Sequence, residues 1–145
     1  MNRQDLSEYL NVLYSSAKDA YDHDEIPVSA VLVFQDGSFI SCRNSVEEHG
    51  DPYCHAEFNV IQKGLEKIGE RYLKDCTLLV SLEPCLFCMG AILKAGIGDL
   101  YYVLDDEDKG SLSHYHAFVD DVLRVHRLED SRFLPLMQDF FKKIR

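Results

Sequence analysis

The spacing of apolar residues along the chain changes between two periods, and each period predicts a different secondary structure. Over residues 5–21 the apolar side chains recur at steps of three and four, which indicates an amphipathic helix. Residues 27–34 are instead apolar and β-branched, which is typical of a strand. Asp36 and Gly37 then favour a tight turn, so we expect residues 38–43 to return as the second strand of a hairpin.

The rest of the chain alternates between helical and strand patterns. Residues 44–53 are polar and contain Gly50 and Pro52, which break regular structure, so we expect a loop there. The patterns that follow predict, in chain order, a helix over 54–65, a strand over 76–81, a helix over 84–95, a strand over 100–104, a short helix over 111–121, a fifth strand over 123–128 and a helix over 133–144. This mixed order predicts a three-layer α/β domain.

Length and composition narrow the class of protein. The chain has 145 residues, 46% of them hydrophobic, which suits a single domain over residues 1–145. No stretch approaches the roughly 18 apolar residues that a membrane span needs, and the N-terminus lacks the basic-then-apolar order of a signal peptide. Five cysteines are an odd count, which argues against a disulfide framework. We therefore expect a protein of the reducing cytoplasm, where clustered cysteines more often bind metal.

The charge balance bears on the class of partner. Twenty-five acidic residues stand against 15 basic ones, giving a net charge of −10. Proteins that hold nucleic acid by its phosphates usually present a basic face, because neutralising phosphates releases counterions. The composition therefore disfavours a nucleic-acid partner without excluding one.

Two short segments carry residue types that bind metal ions. One has His55 at a predicted helix start, and the other has Cys85 and Cys88 at the start of the next helix. Two cysteines so spaced direct both sulfurs toward one point, where the positive end of the helix dipole favours the thiolates that bind metal. Pro84 presets the backbone for that turn and needs no amide donor. Three such ligands leave a fourth zinc position for water, as in catalytic rather than structural sites.

Glu57, two residues after His55, is the candidate for proton transfer. In the first helical turn it can lie over the metal without ligating it and take a proton from water, whose pKa zinc lowers to roughly 7. Three other interpretations stay open: Cys85 and Cys88 could be a redox-active or buried dithiol pair, His55 and Glu57 could be a surface pair, or Cys54 could complete a structural zinc site. The last is disfavoured, because adjacent residues on a helix do not share a face.

The combination of His-x-Glu with Pro-Cys-x-x-Cys is the signature of the zinc deaminases. On these motifs the chain resembles the cytidine deaminase-like superfamily and, within it, the bacterial tRNA-specific adenosine deaminases. The resemblance covers nearly the whole chain, firmly over residues 25–104 and more loosely afterwards. It rests on residues 25–33, Asn44, residues 51–52 ahead of His55, residues 81–91 and residues 139–145.

This resemblance implies a fold, a reaction and a set of site residues. The implied fold is a three-layer α/β/α arrangement with a mixed five-stranded sheet, and a homodimer is usual. The implied reaction is hydrolytic deamination, in which zinc-bound hydroxide attacks the amine-bearing ring carbon and a glutamate passes protons to the ring nitrogen and the leaving ammonia. The implied residues are the Zn2+ ligands His55, Cys85 and Cys88, the proton shuttle Glu57, and the substrate-binding residues Val28, Asn44 and Pro84.

The chain also departs from the pattern that it resembles. Cys54 occupies a position where alanine is usual, and Tyr53 occupies one where threonine is common, so a tyrosine beside the pocket could restrict the base or stack on it. Residues 105–108 are all acidic, whereas the family has an Arg-Asp pair at the start of this loop. Basic residues that could grip an RNA backbone remain at the C-terminus, namely Lys142, Lys143 and Arg145.

Ordinary structural roles remain open for several of these residues. Asn44 after a strand could simply be a turn residue, and Phe87 between the cysteines could belong to the core. The C-terminal cations could equally be a solvated helix face.

Three functions are consistent with these residues. The first is a zinc-dependent hydrolase that converts adenosine to inosine at the wobble position of the tRNA anticodon loop. The second applies the same chemistry to a free base, nucleoside or nucleotide, with guanine and cytidine as the obvious candidates. The third is a non-enzymatic metal-binding subunit, which would have no need of a proton shuttle such as Glu57.

Overall fold

The computed structural model describes residues 1–115 and 123–144, which form helices on both sides of one sheet. The chain order of the elements is α1 (Arg3–Asp22), β1 (Ser29–Val33), β2 (Phe39–Arg43), α2 (Val46–His49), α3 (Ala56–Ile68), β3 (Thr77–Leu82), α4 (Leu86–Ala95), β4 (Asp99–Leu104), α5 (Ser111–Tyr115), β5 (Arg124–Arg127) and α6 (Phe133–Lys143). No helix within the described ranges has the length and apolar character needed to cross a bilayer.

The predicted alternation of helices and strands is confirmed, with one element missed. The polar stretch 44–53 contains the short helix α2, because the buried carboxylate of Glu25 accepts hydrogen bonds from the backbone N–H groups of Glu47 and Glu48. Because the residue that caps α2 is more than 20 residues away in the chain, no local sequence pattern predicts this helix. The predicted helix over 111–121 begins as α5, and its continuation beyond residue 115 lies outside the described residues.

The sheet is mixed and five-stranded, in the order β2-β1-β3-β4-β5, as the resemblance implied. Strand β1 pairs antiparallel with both β2 and β3, whereas β3, β4 and β5 run parallel to one another. The carboxyl ends of β3 and β4 therefore lie at the same edge of the sheet as the start of β1. Ligand sites of open α/β sheets form at such an edge.

Alternate residues of β1 build the two hydrophobic layers. Ala30 and Leu32 pack with residues of α3 and α4, while Val31 and Val33 pack with residues of α1 and α6. This alternation follows from the strand period of two and gives the three-layer arrangement. Helices α3 and α4 thus lie on the same face of the sheet, with both N-termini near the strand ends that frame the site.

Candidate metal centre and active-site cavity

The three predicted metal ligands meet at the N-termini of two neighbouring helices. His55 directly precedes α3, and Cys85 directly precedes α4, both with extended backbone at the cap position. The Nδ1 atom of His55 lies 3.4 Å from Sγ of Cys88 and 3.7 Å from Sγ of Cys85. All three donor atoms lie within 4.8 Å of one another, so the group could hold a metal ion. Cys54 is not part of this group.

Electrostatics at this centre favours one thiolate. The hydrogen bond between the two thiol groups, together with that to His55, lowers the pKa of Cys85 to about 4. The same contact with Cys85, with burial, raises the pKa of Cys88. The hydrogen bond to Cys85 raises the pKa of His55. The Cys85 thiolate is thus available to a metal ion, whereas His55 and Cys88 would each give up a proton on binding one. Zinc takes sulfur and nitrogen ligands of this kind.

Glu57 is buried beside the three donor atoms. Only 3% of the residue is exposed, and burial raises the pKa of its carboxyl group. Its Oε1 atom finds no hydrogen-bond partner among the described residues. A buried acceptor without a donor costs about 1–3 kcal/mol, so such atoms normally face a water, an ion or a reacting group. This atom fits a metal centre with an open position for water.

A cavity of about 650 Å³ opens at this centre and contains two of the three predicted substrate-binding residues. Val28 and Asn44 line it, and the backbone N–H of Asn44 donates to the carbonyl oxygen of Val28 at 2.9 Å. Pro84 is buried but is not a lining residue; its carbonyl oxygen accepts hydrogen bonds from Ser111 instead. The roles of Val28, Asn44 and Pro84 toward substrate stay predictions.

Sequence reasoning missed several residues of this cavity. Two buried carboxylates, Glu25 and Glu83, line it, and so does Lys109, the single lysine or arginine among its described lining residues. Glu25 and Glu83 stand in segments on which the resemblance rests, but no periodicity assigns them or Lys109 to a cavity, because each reaches it through long-range packing. The C-terminal helix supplies an apolar wall made of Phe140, Phe141 and Ile144.

Helix α6 is fastened to the end of α1 by a group that we call the α6 clasp, formed by Tyr21, Asp24, Asp139 and Lys143. The Nζ atom of Lys143 lies 3.4 Å from Oδ1 of Asp24 and 3.9 Å from the centre of the Tyr21 ring. The hydroxyl group of Tyr21 donates to Asp139. Lys143 is therefore engaged within the chain rather than simply displayed at its end. Arg145 lies outside the described residues.

An aromatic cluster lies beside the centre and outside the cavity. The ring of Phe87 is 5.2 Å from the rings of both Tyr53 and Phe58, measured between ring centres. The alternative that Phe87 belongs to the core is wrong, because 41% of the residue is exposed. Tyr53 is 57% exposed and packs on Phe87 rather than lining the cavity. Within the described structure, an exposed apolar patch thus adjoins the candidate metal ligands.

The acidic segment 105–108 is held by partners from other elements. Asp105 pairs with Arg127 of β5 at 3.3 Å, and the backbone N–H of Asp106 donates to Glu83. Asp106 and Lys109 both line the cavity. This segment therefore contributes Asp106 to the cavity lining.

Comparisons with known proteins agree with this geometry. The model of the MafB19-like deaminase family matches residues 4–145. A tRNA-specific adenosine deaminase of Aquifex aeolicus is 33% identical over 143 residues, which cover 94% of each chain. A solved structure from work on A-to-I editing by tRNA:A34 deaminases is 32% identical with a TM-score of 0.77, covering 84% of this chain and 98% of that one. A guanine deaminase of Nitrosomonas europaea shares the fold at 19% identity and a TM-score of 0.77, covering 90% of this chain and 81% of that one. The chain belongs to the MafB19-like deaminase family.

Proposed function

We propose that the protein is a zinc-dependent hydrolytic deaminase that converts adenosine to inosine at the wobble position of the tRNA anticodon. The observation that carries the deaminase chemistry is the buried, unpartnered Oε1 of Glu57 beside three converging ligand atoms. The choice of tRNA is supported by relatives named tRNA-specific adenosine deaminase, which are similar over most of the chain.

His55, Cys85 and Cys88 would hold the zinc ion. When bound, zinc supplies a Lewis acid that makes a water molecule acidic near neutral pH. Glu57 would take one proton at Oε1 from the attacking water and deliver it to the ring nitrogen of the base. It would then take the second proton from the hydroxyl group that this water becomes and deliver it to the leaving amine. Its raised pKa suits this work, because a general acid–base group acts best when its pKa lies near the working pH.

The cavity lining supports recognition of one nucleobase. Asn44 is 7% exposed and offers an amide that can both donate and accept, as the edge of a purine ring requires. Val28, Phe140 and Phe141 supply apolar surface around it, and Pro84 shapes the turn that carries Cys85. A base taken out of an RNA loop would enter this cavity with its sugar at the mouth.

The net charge of −10 opposes the binding of tRNA, which is also negatively charged. Tight binding through phosphates needs several free cations. Lys109 lines the cavity, and Lys142 is exposed at the end of α6. Insertion of the base into the cavity and a second copy of the chain would supply the remaining affinity.

We propose a homodimer that works in the cytoplasm, where tRNA is found. Tyr53, Leu86 and Phe87 are between 41% and 57% exposed and lie next to one another or to the metal ligands. Contiguous exposed apolar surface of this kind marks protein interfaces. Covering this patch would bring a partner copy close to the cavity.

The test is to incubate the zinc-loaded protein with total tRNA and, separately, with a panel of free bases, nucleosides and nucleotides. Release of ammonia is measured in both incubations, and formation of inosine in tRNA is measured in the first. The Glu57→Ala variant is the blank. Turnover of tRNA alone supports the proposal. Turnover of guanine or cytidine compounds alone moves the function to the free-substrate alternative with the same chemistry.

Turnover of neither substrate, with zinc bound, would favour a metal-binding subunit without activity of its own. The buried Glu57 argues against that outcome, since a purely structural metal site has no use for an unpartnered carboxylate oxygen.

A further inference from the structure

We propose that Glu25 and Glu83 are positioning residues, and that each holds one of two segments that line the cavity: helix α2 and the loop of residues 105–110. Both carboxylates are buried, with 0% and 2% of the residue exposed. Neither forms an ion pair with a lysine, arginine or histidine of the described chain. Their oxygens instead accept hydrogen bonds mainly from backbone N–H groups, those of α2 for Glu25 and those of Asp106 and Ser113 for Glu83.

Glu25 holds helix α2, which follows Asn44 in the chain. Its Oε1 accepts the backbone N–H of Glu47 at 3.0 Å, and its Oε2 accepts that of Glu48 at 2.7 Å. Glu47 and Glu48 are the second and third residues of α2, which starts two residues after Asn44. The cap fixes α2, and α2 in turn fixes the depth at which Asn44 enters the cavity.

Glu83 holds the loop of residues 105–110. Its Oε1 accepts the backbone N–H of Asp106 at 3.0 Å and the hydroxyl of Ser113 at 2.9 Å, while its Oε2 accepts the backbone N–H of Ser113 at 2.7 Å. The packing leaves no room for a side chain at Gly110, where a Cβ atom would lie 2.1 Å from Oε2 of Glu83. The loop that carries Lys109 is thus closed tightly over this carboxylate.

A buried carboxylate without a cation is costly unless its hydrogen bonds are good. An apolar side chain of similar size could fill either position, but it would leave two backbone N–H groups without their acceptors. The two carboxylates are therefore suited to hold two defined backbone segments. The inference rests on the proposed function, since it takes this cavity as the substrate site.

The test compares Glu25→Gln and Glu83→Gln with the wild type. Each variant keeps the size of the side chain but replaces one accepting oxygen by an NH2 group, so a backbone N–H loses its acceptor. Hydrogen exchange, measured without substrate, should speed up at the amides of Glu47 and Glu48 in the first variant. In the second it should speed up at the amides of Asp106 and Ser113.

Kinetics then decide whether holding the loops matters for the reaction. We expect kcat/KM on the active substrate to fall about tenfold in each variant, with the larger share in KM and with zinc content unchanged. In the double variant Glu25→Gln/Asn44→Ala the loss should not exceed that of Asn44→Ala alone, because Glu25 acts through Asn44.

Asp36→Asn is the matched control. Asp36 also accepts a backbone N–H and a hydroxyl, both from Ser38, but it lies in the turn at the opposite end of β1. Its kcat/KM should equal that of the wild type.

Faster exchange with unchanged kcat/KM in both glutamate variants would overturn the inference and leave only a structural role. Additive losses in the double variant would overturn the link to Asn44, and loss of zinc would assign the effect to the metal. A wild type without turnover on any substrate would overturn the proposed function and the positioning role with it, whereas the exchange result would still report whether the loops are held.

Discussion

The Sγ atom of Cys88 lies 3.4 Å from Nδ1 of His55, although 33 residues separate them in the chain. The contact exists because the N-termini of α3 and α4 lie side by side on one face of the sheet. It converts two unremarkable motifs into one donor group with Glu57 beside it. The predictions about the metal centre follow from this relationship.

Replacing Glu57 by alanine should abolish turnover while about one zinc ion per chain is kept, because the carboxylate moves protons and does not ligate the metal. Metal analysis and ammonia release measure the two effects. Glu66→Ala, which removes an exposed carboxylate from the same helix, should retain both zinc and activity. Release of the metal from Glu57→Ala would show that the glutamate is a ligand.

Replacing Cys88 by alanine should remove zinc and lower the melting temperature, since metal binding is coupled to folding. A chelator should lower the melting temperature of the wild type and leave that of Cys88→Ala unchanged. Cys42→Ala, which alters a buried cysteine outside the centre, should still respond to the chelator. Equal chelator responses in the wild type and Cys88→Ala would argue against a zinc site here.

Replacing Asn44 by alanine should cost about 1–3 kcal/mol of transition-state binding, because a polar edge of the base would lose its partner. The loss should appear in kcat/KM with the zinc content unchanged. Asn11→Ala serves as the control, because Asn11 bonds to Arg132 on the surface. A change of less than about twofold would return Asn44 to the role of a turn residue.

Charge changes should separate an RNA substrate from a small one. Changing Asp105, Asp106, Glu107 and Asp108 to amides should tighten tRNA binding at low salt, and the gain should shrink as salt screens it. Replacing Lys142, Lys143 and Arg145 by glutamine should weaken binding and flatten the salt dependence by about one to three ions. Binding is followed by fluorescence anisotropy over a salt series.

The contacts of the α6 clasp predict different effects for the two neighbouring lysines. Because Lys143 is engaged with Asp24 and Tyr21, Lys143→Gln alone should change the salt slope less than Lys142→Gln alone. A small-molecule deaminase would show no saturable tRNA binding and little response of kcat/KM to any of these changes.

Placing a polar residue in the exposed aromatic patch should shift the protein from dimer to monomer. Phe87→Ser removes the ring that packs on both Tyr53 and Phe58, and sedimentation measures the mass. Phe141→Ser, which alters an exposed ring on the cavity wall, should leave the dimer intact. A monomeric wild type would refute the dimer proposal.

The order of elements could be predicted from periodicity, and the candidate metal ligands from two motifs, because both are local properties of the sequence. Helix α2 could not, since its cap is the distant Glu25. The role of Glu83 could not be predicted for the same reason, because its partners Asp106 and Ser113 follow more than 20 residues later. A loop held by a buried carboxylate from another element leaves no periodic signal.

The apolar wall of the cavity escaped prediction for a related reason. Phe140 and Ile144 fit the amphipathic pattern of α6, but periodicity does not say which part of the molecule that face meets. Only the docking of α6 onto the end of α1 brings these side chains to the metal centre.

The docking of α6 also decides how the protein can be handled in the laboratory. Ile144 lines the cavity, so an affinity tag or a fused domain joined after Arg145 would begin within two residues of the cavity lining and compete with the clasp. The start of α1 is separated from the clasp by a helix of 20 residues, about 30 Å in length. Purification handles, fluorophores and fusion partners therefore belong at the N-terminus.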